Sequence, residues 1–217
     1  MQNNGLNAND VALQIAKSLL KVKAIKLNPN KPFTWASGWK SPIYCDNRLT
    51  LSYPQIRTYI RQEFVKKIQE EIGDIDLIVG VATGGIAQGA LVAQEMGLPF
   101  AYVRSEHKQH GMTNLVEGVV ESGQRVVIIE DLISTGQSSL KAVEALREKQ
   151  CIVKGMIAIF SYDFDIAIER FKEAKCKMFS LSNYNDLIEQ AIADEFIMEK
   201  DIESLKKWRK DPANWGK

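Results

Sequence analysis

The sequence predicts an α/β fold: a central, mostly parallel sheet flanked by helices, in the doubly wound manner. Three observations carry that expectation. Short apolar runs recur at 76–82, 99–104, 126–129, 152–160 and 177–181, and the one at 126–129 is β-branched throughout. They read as strands, and 126–129, too short for a helix, as one buried on both faces of a parallel sheet. Stretches of helical period separate them, so the period alternates along the chain. Polar turns rich in glycine and hydroxyls, at 83–85 and 134–139, follow two of the runs, at the strand ends where open α/β sheets hold their ligands.

Length and composition fit this scheme. At 217 residues the chain suits a single domain, residues 1–217, with an embellishment. Its 45% apolar and 25% charged content is ordinary for a globular protein. A net charge of +1 argues against a large nucleic-acid footprint, which needs a markedly basic face. No apolar run approaches the ~20 residues that span a bilayer, and residues 1–10 lack the form of a secretory signal. Cys45, Cys151 and Cys176 are odd in number and lack metal-ligand spacing; they read as free, packed thiols in a reducing cytoplasm.

The elements follow in order. Asn9 or Asp10 caps a first helix to about Lys21, with Val11, Ile15, Leu19 and Val22 on one face. Residues 25–48 are dense in prolines and aromatics and predict short strands or loops packed as a lid, so that a small N-terminal hood spans about 20–50. A second helix starts near Tyr53-Pro54, with Ile56, Ile60, Phe64 and Ile68 inward and Gly73 closing it. Then come a strand at 76–82, a turn at 83–85, a helix at 86–96 ending at Gly97, and a strand at 99–104. Residues 105–114, polar and aperiodic, read as a mobile loop. A short strand at 117–121 is expected to pair with the 126–129 strand across Ser122-Gly123. A helix at 138–149, a strand at 152–160, a helix at 165–174, a strand at 177–181 and a helical tail from 184 to 217 complete the chain.

Three stretches carry chemistry. Gly80-Val-Ala-Thr-Gly-Gly-Ile-Ala-Gln-Gly89 matches neither the dinucleotide nor the P-loop spacing. Its strand, turn and helix start serve equally as a plain tight turn or as backbone N–H groups gripping an anion. Residues 104–110 hold Arg104, Lys108 and both histidines, His107 and His110. They suit a solvated surface, or a loop that closes over a departing polyphosphate. The third stretch is Arg125-Val-Val-Ile-Ile-Glu-Asp-Leu-Ile-Ser-Thr-Gly-Gln-Ser-Ser139. Glu130 and Asp131 stand where the strand should leave the sheet, and two like charges there make best sense facing sugar hydroxyls or a metal-bound ligand. The hydroxyls and N–H groups after them lead into a helix N-terminus, a place for phosphate.

Residues 126–139 resemble the signature of the type I phosphoribosyltransferases, which bind 5-phosphoribosyl 1-diphosphate (PRPP): a hydrophobic strand, two acids, two apolar residues and a Ser/Thr-Gly phosphate loop. Two further stretches narrow the resemblance to the orotate phosphoribosyltransferases. Phe33-Thr-Trp-Ala-Ser-Gly-Trp-Lys-Ser-Pro-Ile-Tyr-Cys-Asp46 is similar to their hood segment, and Tyr102-Val-Arg-Ser-Glu-His-Lys-Gln-His-Gly111 to their catalytic loop. The order of the remaining elements extends the likeness over nearly the whole chain.

The resemblance implies a type I phosphoribosyltransferase fold and transfer of ribose 5-phosphate from PRPP to orotate. It assigns Glu130 and Asp131 to the ribose hydroxyls and Leu132, Ile133, Ser134, Thr135, Gly136, Gln137 and Ser138 to the signature loop around the 5′-phosphate. Ser134, Lys26 and Phe33 would face orotate. Arg104, Lys108 and His110 would clamp the diphosphate, with Thr83 and Gly84 as a second contact. Arg104, Lys108, His110 and Asp131 form the catalytic set. Mg²⁺ would be held mainly through PRPP with no direct protein ligand, and a homodimer would bring Lys108 and His110 to the partner's site. Two positions depart from some members of the family: Ser105 replaces a lysine, and 160–164 lacks an arginine for the orotate carboxylate, which leaves Lys26 and Arg48 as the available cations. A purine phosphoribosyltransferase would not need the hood segment, and a PRPP-sensing regulator would need a DNA-binding module that the single N-terminal helix does not supply.

Overall fold

The computed structural model describes residues 8–35, 37–104 and 115–216. Its centre is a six-stranded sheet in which five strands are parallel. In chain order the strands are β1 (Ile25–Leu27), β2 (Phe33–Thr34), β3 (Lys40–Ser41), β4 (Ile43–Cys45), β5 (Leu77–Val81), β6 (Phe100–Val103), β7 (Val116–Glu117), β8 (Arg125–Ile133), β9 (Ile152–Ser161) and β10 (Met178–Asn183). The helices are α1 (Ala8–Lys21), α2 (Pro54–Lys67), α3 (Gly84–Met96), α4 (Gln137–Glu148), α5 (Asp165–Glu173), α6 (Tyr184–Ala193) and α7 (Ile202–Lys210). The sheet order is β10-β9-β8-β5-β6-β7, with only β7 antiparallel. The expected α/β architecture is therefore present.

Strand alternation divides the core into two layers. Ile78, Val127, Ile129 and Ile157 join one cluster with α1, α2, α3 and α6. Leu77, Val79, Ile128 and Ala158 face the other way, onto α4 and α5. Successive side chains of a strand point to opposite faces, so one sheet serves two helical layers.

Four expectations need correction. Asn9 and Asp10 lie inside the first turn of α1, which begins at Ala8. The 126–129 strand is longer: β8 runs through both acids, with Glu130 opposite Ala158 and Leu132 opposite Phe160 on β9. The segment expected at 117–121 pairs with β6, not β8, through Tyr102↔Glu117 and Val103↔Val116. Gly118 at φ 106 then turns the chain against the Ala101 backbone. Finally, α3 starts at Gly84, two residues earlier than its periodicity indicated, because Gly85 lies against the Ile129 carbonyl and the helix must begin flush with β8.

The hood consists of two small antiparallel pairs, β1 with β4 and β2 with β3, followed by a 3₁₀ turn at Asn47–Ser52. At the opposite end of the sheet, Asp76 locks β5 to β8. Its carboxylate accepts from the Arg125 backbone N–H (2.8 Å), Nε (2.9 Å) and Nη2 (2.7 Å). These bonds pull the Asp76 carboxyl down to about 2. A depressed carboxyl contributes stability above its unfolded value, roughly 3.9, and loses it as pH falls toward 2. Asp76→Asn is therefore expected to flatten the fall in urea midpoint between pH 5 and 2. An unchanged pH profile would remove Asp76 from that role.

Candidate active site

The carboxyl ends of β5, β6 and β8 open into a cavity of about 390 Å³ lined by Ala82, Arg104, Asp131, Leu132, Ser138 and Lys141, among others. Five of the sequence-predicted residues, Arg104, Glu130, Asp131, Leu132 and Ser138, meet there. Arg104 follows β6, donates its backbone N–H to the Leu115 carbonyl (2.9 Å) and pairs with Glu117 at 3.5 Å. Thr83 and Gly84 form the turn from β5 into α3, after a cis Ala82–Thr83 peptide. The Asp131 carboxylate lies directly over Gly84, where any Cβ would collide with it.

The two adjacent acids have different surroundings. Asp131 faces α3 and the hood, and its carbonyl accepts from Asn47 Nδ2 at 2.6 Å. Glu130 points the other way and is only 5% exposed. One of its carboxyl oxygens accepts from Ser139 Oγ (2.9 Å) and the other from the Asp131 backbone N–H (3.0 Å). Burial, with the Asp131 charge beside it, pushes the Glu130 carboxyl well above its ordinary range. The sign follows: a raised carboxyl stabilises below its unfolded value, roughly 4.3, and that contribution is lost as pH rises through the folded value. Glu130→Gln removes the titration while keeping an acceptor and a donor in place. The variant is expected to gain urea stability relative to the parent between pH 4 and 8; a constant difference would mean the carboxyl is not raised.

After β8, Ser134, Thr135 and Gly136 form a bend. Gly136 takes φ 74 against the Phe171 ring, where a side chain would not fit. Arg170 Nη1 holds the Thr135 carbonyl at 2.9 Å, and α4 starts at Gln137 with its N–H groups turned to the bend. Ile133, by contrast, is fully buried, and its carbonyl accepts from the Tyr162 N–H at 3.1 Å. Only its backbone borders the loop.

A second pocket, about 250 Å³, lies under the hood and is lined by Thr34, Trp35, Tyr44, Cys45, Leu132 and Tyr162. Leu132 is common to both spaces. Phe33 and Lys26 flank this pocket through Tyr44: the Phe33 and Tyr44 rings are 5.8 Å apart, and Lys26 Nζ lies 5.9 Å from the Tyr44 centroid. Arg48 is engaged elsewhere, in a two-point ion pair with Asp46 (2.7 and 2.9 Å). Lys108, His110 and Ser105 lie outside the described residues. Among the described residues, no three His, Cys, Asp or Glu side chains are grouped to hold a metal ion, and no helix is long and apolar enough to cross a membrane.

Residues 53–191 match the phosphoribosyl transferase domain family. The orotate phosphoribosyltransferase of Phocaeicola vulgatus is 58% identical over 200 residues, which covers 92% of this chain and 94% of the relative. That of Porphyromonas gingivalis is 56% identical over 202 residues, 93% and 96% of the two chains. The chain belongs to the orotate phosphoribosyltransferase family. Solved structures agree. Orotate phosphoribosyltransferase from Aeropyrum pernix superposes with a TM-score of 0.73 at 28% identity, over 81% of this chain and 97% of that one. Leishmania donovani UMP synthase gives 0.75 at 25% identity, covering 91% of this chain and 42% of the longer protein.

In this orotate phosphoribosyltransferase family member, Lys141 and Tyr162 line the two spaces and Asn47 holds the Asp131 carbonyl, and no sequence motif marks any of the three. Lys141 stands one turn into α4, within reach of whatever its N-terminus holds, and that i+3 spacing from Ser138 was the available signal. Asn47 sits in a 3₁₀ turn, where no periodicity marks it. Tyr162 is only 1% exposed, yet it borders the aromatic pocket.

Proposed function

We propose that this chain transfers the 5-phosphoribosyl group of PRPP to orotate, giving orotidine 5′-phosphate and diphosphate in pyrimidine nucleotide synthesis. One geometry carries the reading: the polar cavity beside Asp131 and the aromatic pocket under the hood share the Leu132 wall. A sugar phosphate in the first space and a flat base in the second would meet at that wall.

The 5′-phosphate would rest on the 134–138 bend and the α4 N-terminus, where free N–H groups and the helix dipole favour an anion. Asp131 would take the ribose hydroxyls, with Glu130 orienting it from the buried side through the Asp131 N–H. Arg104, Lys108 and His110, with the Thr83-Gly84 turn, would hold the diphosphate. Ser134 and the Phe33 segment would border orotate, and Lys26 would meet its carboxylate because Arg48 is committed to Asp46. The bond from C1′ to diphosphate breaks as the bond from C1′ to the base nitrogen forms, through a cation-like anomeric carbon that needs no protein nucleophile. The chain's contribution is position and fixed charge. The exposed edge of Asp131 suits hydroxyls that also ligate Mg²⁺, and the ion would supply charge neutralisation on the diphosphate. We further propose one phosphoribosyltransferase domain with its hood, acting in the cytoplasm as a homodimer in which Lys108 and His110 serve the partner's site.

The test is loss of orotate absorbance on adding PRPP and Mg²⁺ to the purified protein, with adenine, hypoxanthine and uracil as separate acceptors. Consumption of orotate alone is expected. No loss, or equal use of a purine, would overturn the reading.

A further inference from the structure

The C-terminal helix α7 lies behind the aromatic pocket. Trp208 is fully buried, and four rings surround it: Trp35 (5.8 Å between centroids), Tyr162 (5.5 Å), Phe164 (5.3 Å) and Tyr184 (5.8 Å). Two of these, Trp35 and Tyr162, line the pocket and stand 5.4 Å apart. The next residue, Arg209, donates from Nη2 to the Asp163 carbonyl at 2.9 Å and from Nε to the Tyr162 carbonyl at 3.4 Å. Asp163 adopts φ 50, a conformation that a non-glycine residue keeps only when its surroundings impose it. The Arg209 fork supplies that constraint from one side; from the other, Ser161 Oγ accepts the Asp163 N–H at 3.0 Å. The guanidinium is itself seated over the Tyr184 ring, 5.8 Å from its centroid.

We propose that Arg209 and Trp208 are positioning residues for the acceptor. Arg209 fixes the backbone of Tyr162 and Asp163, Trp208 backs the Trp35 and Tyr162 rings, and together they set the width of the slot that receives the flat base. The inference rests on the assignment of the 250 Å³ pocket to orotate. It gives the tail a task that packing alone does not: a helix that merely filled the core would affect both substrates through stability, whereas this one bears on the acceptor wall and makes none of the PRPP-side contacts described above.

The experiment is steady-state kinetics of Arg209→Met, which keeps the length of the stem and removes the fork, with both KM values, kcat and the thermal midpoint measured. Loss of a charged donor pair predicts a rise in the KM for orotate of roughly tenfold. The KM for PRPP should stay within about twofold. Trp208→Phe, which keeps an aromatic ring and most of the apolar volume, is expected to show the same split and decides the matter if Arg209→Met does not fold. Unchanged KM values in a folded variant, or equal rises for both substrates, would overturn the proposal. Tyr44→Ala, at a half-exposed position on the pocket rim, separates the two levels of the argument. If it raises the orotate KM while the α7 variants do not, the pocket stands and only the role of α7 falls. If it too leaves the orotate KM unchanged, the pocket assignment itself fails.

Discussion

Lys108→Ala is expected to lower kcat by about 10²-fold, the usual scale for a lost electrostatic donor that acts on developing charge. Arg104 marks where the segment bearing Lys108 leaves the sheet, at the edge of the Asp131 cavity. If Lys108 serves the departing diphosphate, as proposed, its charge is needed most when the negative charge there grows. The loss should therefore appear in turnover at saturating substrate more than in either KM. Near-normal turnover would refute the assignment. The same variant tests the shared site. Mixed with Asp131→Asn chains, it should recover activity that neither variant has alone. In a two-fold dimer that re-assorts at random, half the dimers are mixed and each has one intact site, about a quarter of the parent activity. No recovery would mean that each site is built from one chain.

Gly84→Ala and Gly85→Ala should behave differently although they are neighbours. A Cβ on Gly84 meets the Asp131 carboxylate, the far end of a side chain that can swing aside. Folding should be little affected, but the acid presented to the ribose is displaced. Misplacement of about an ångström can cost about 10²-fold, so kcat/KM for PRPP is expected to fall on that scale while the thermal midpoint holds. A Cβ on Gly85 meets the Ile129 carbonyl, which belongs to β8, a strand paired on both sides and unable to yield. There the expected result is a loss of ~1–3 kcal/mol of stability from overpacking, read as a drop in the thermal midpoint. A fully active Gly84→Ala would mean that Asp131 does not need its present position.

The layered fold was legible because β5 and the middles of β8 and β9 are buried on both faces and so read as apolar runs. The strand ends were less so. β8 looked four residues long because Glu130 and Asp131 interrupt its apolar pattern, yet ladder bonds to β9 carry it through them. Period-two alternation already implied that the two acids face opposite ways, which the charge argument overlooked. β7 was drawn to the wrong partner because Ser122-Gly123 resembles a hairpin turn, whereas the turn at Gly118 sends the chain against β6. In the site, Asp131, Ser138 and Arg104 were visible because strand, acid and glycine loop occur in a telling order. Asn47, Lys141 and Tyr162 were not, since their roles arise from contacts between segments far apart in sequence. Asn47 and Asp131 are 84 residues apart.

The Trp35–Trp208 contact also has a bearing on the order of events during synthesis. Translation proceeds from the N-terminus, so α7 is made after every strand of the sheet. β5, β8 and the 134–138 bend precede α7 in the chain, so the half of the site proposed for the sugar phosphate is synthesised first. The base-side wall cannot close until residue 208 has left the ribosome and packed beneath the hood. A nascent chain would thus hold a place for the donor well before it held one for the acceptor, and transfer would begin only once the last helix had docked.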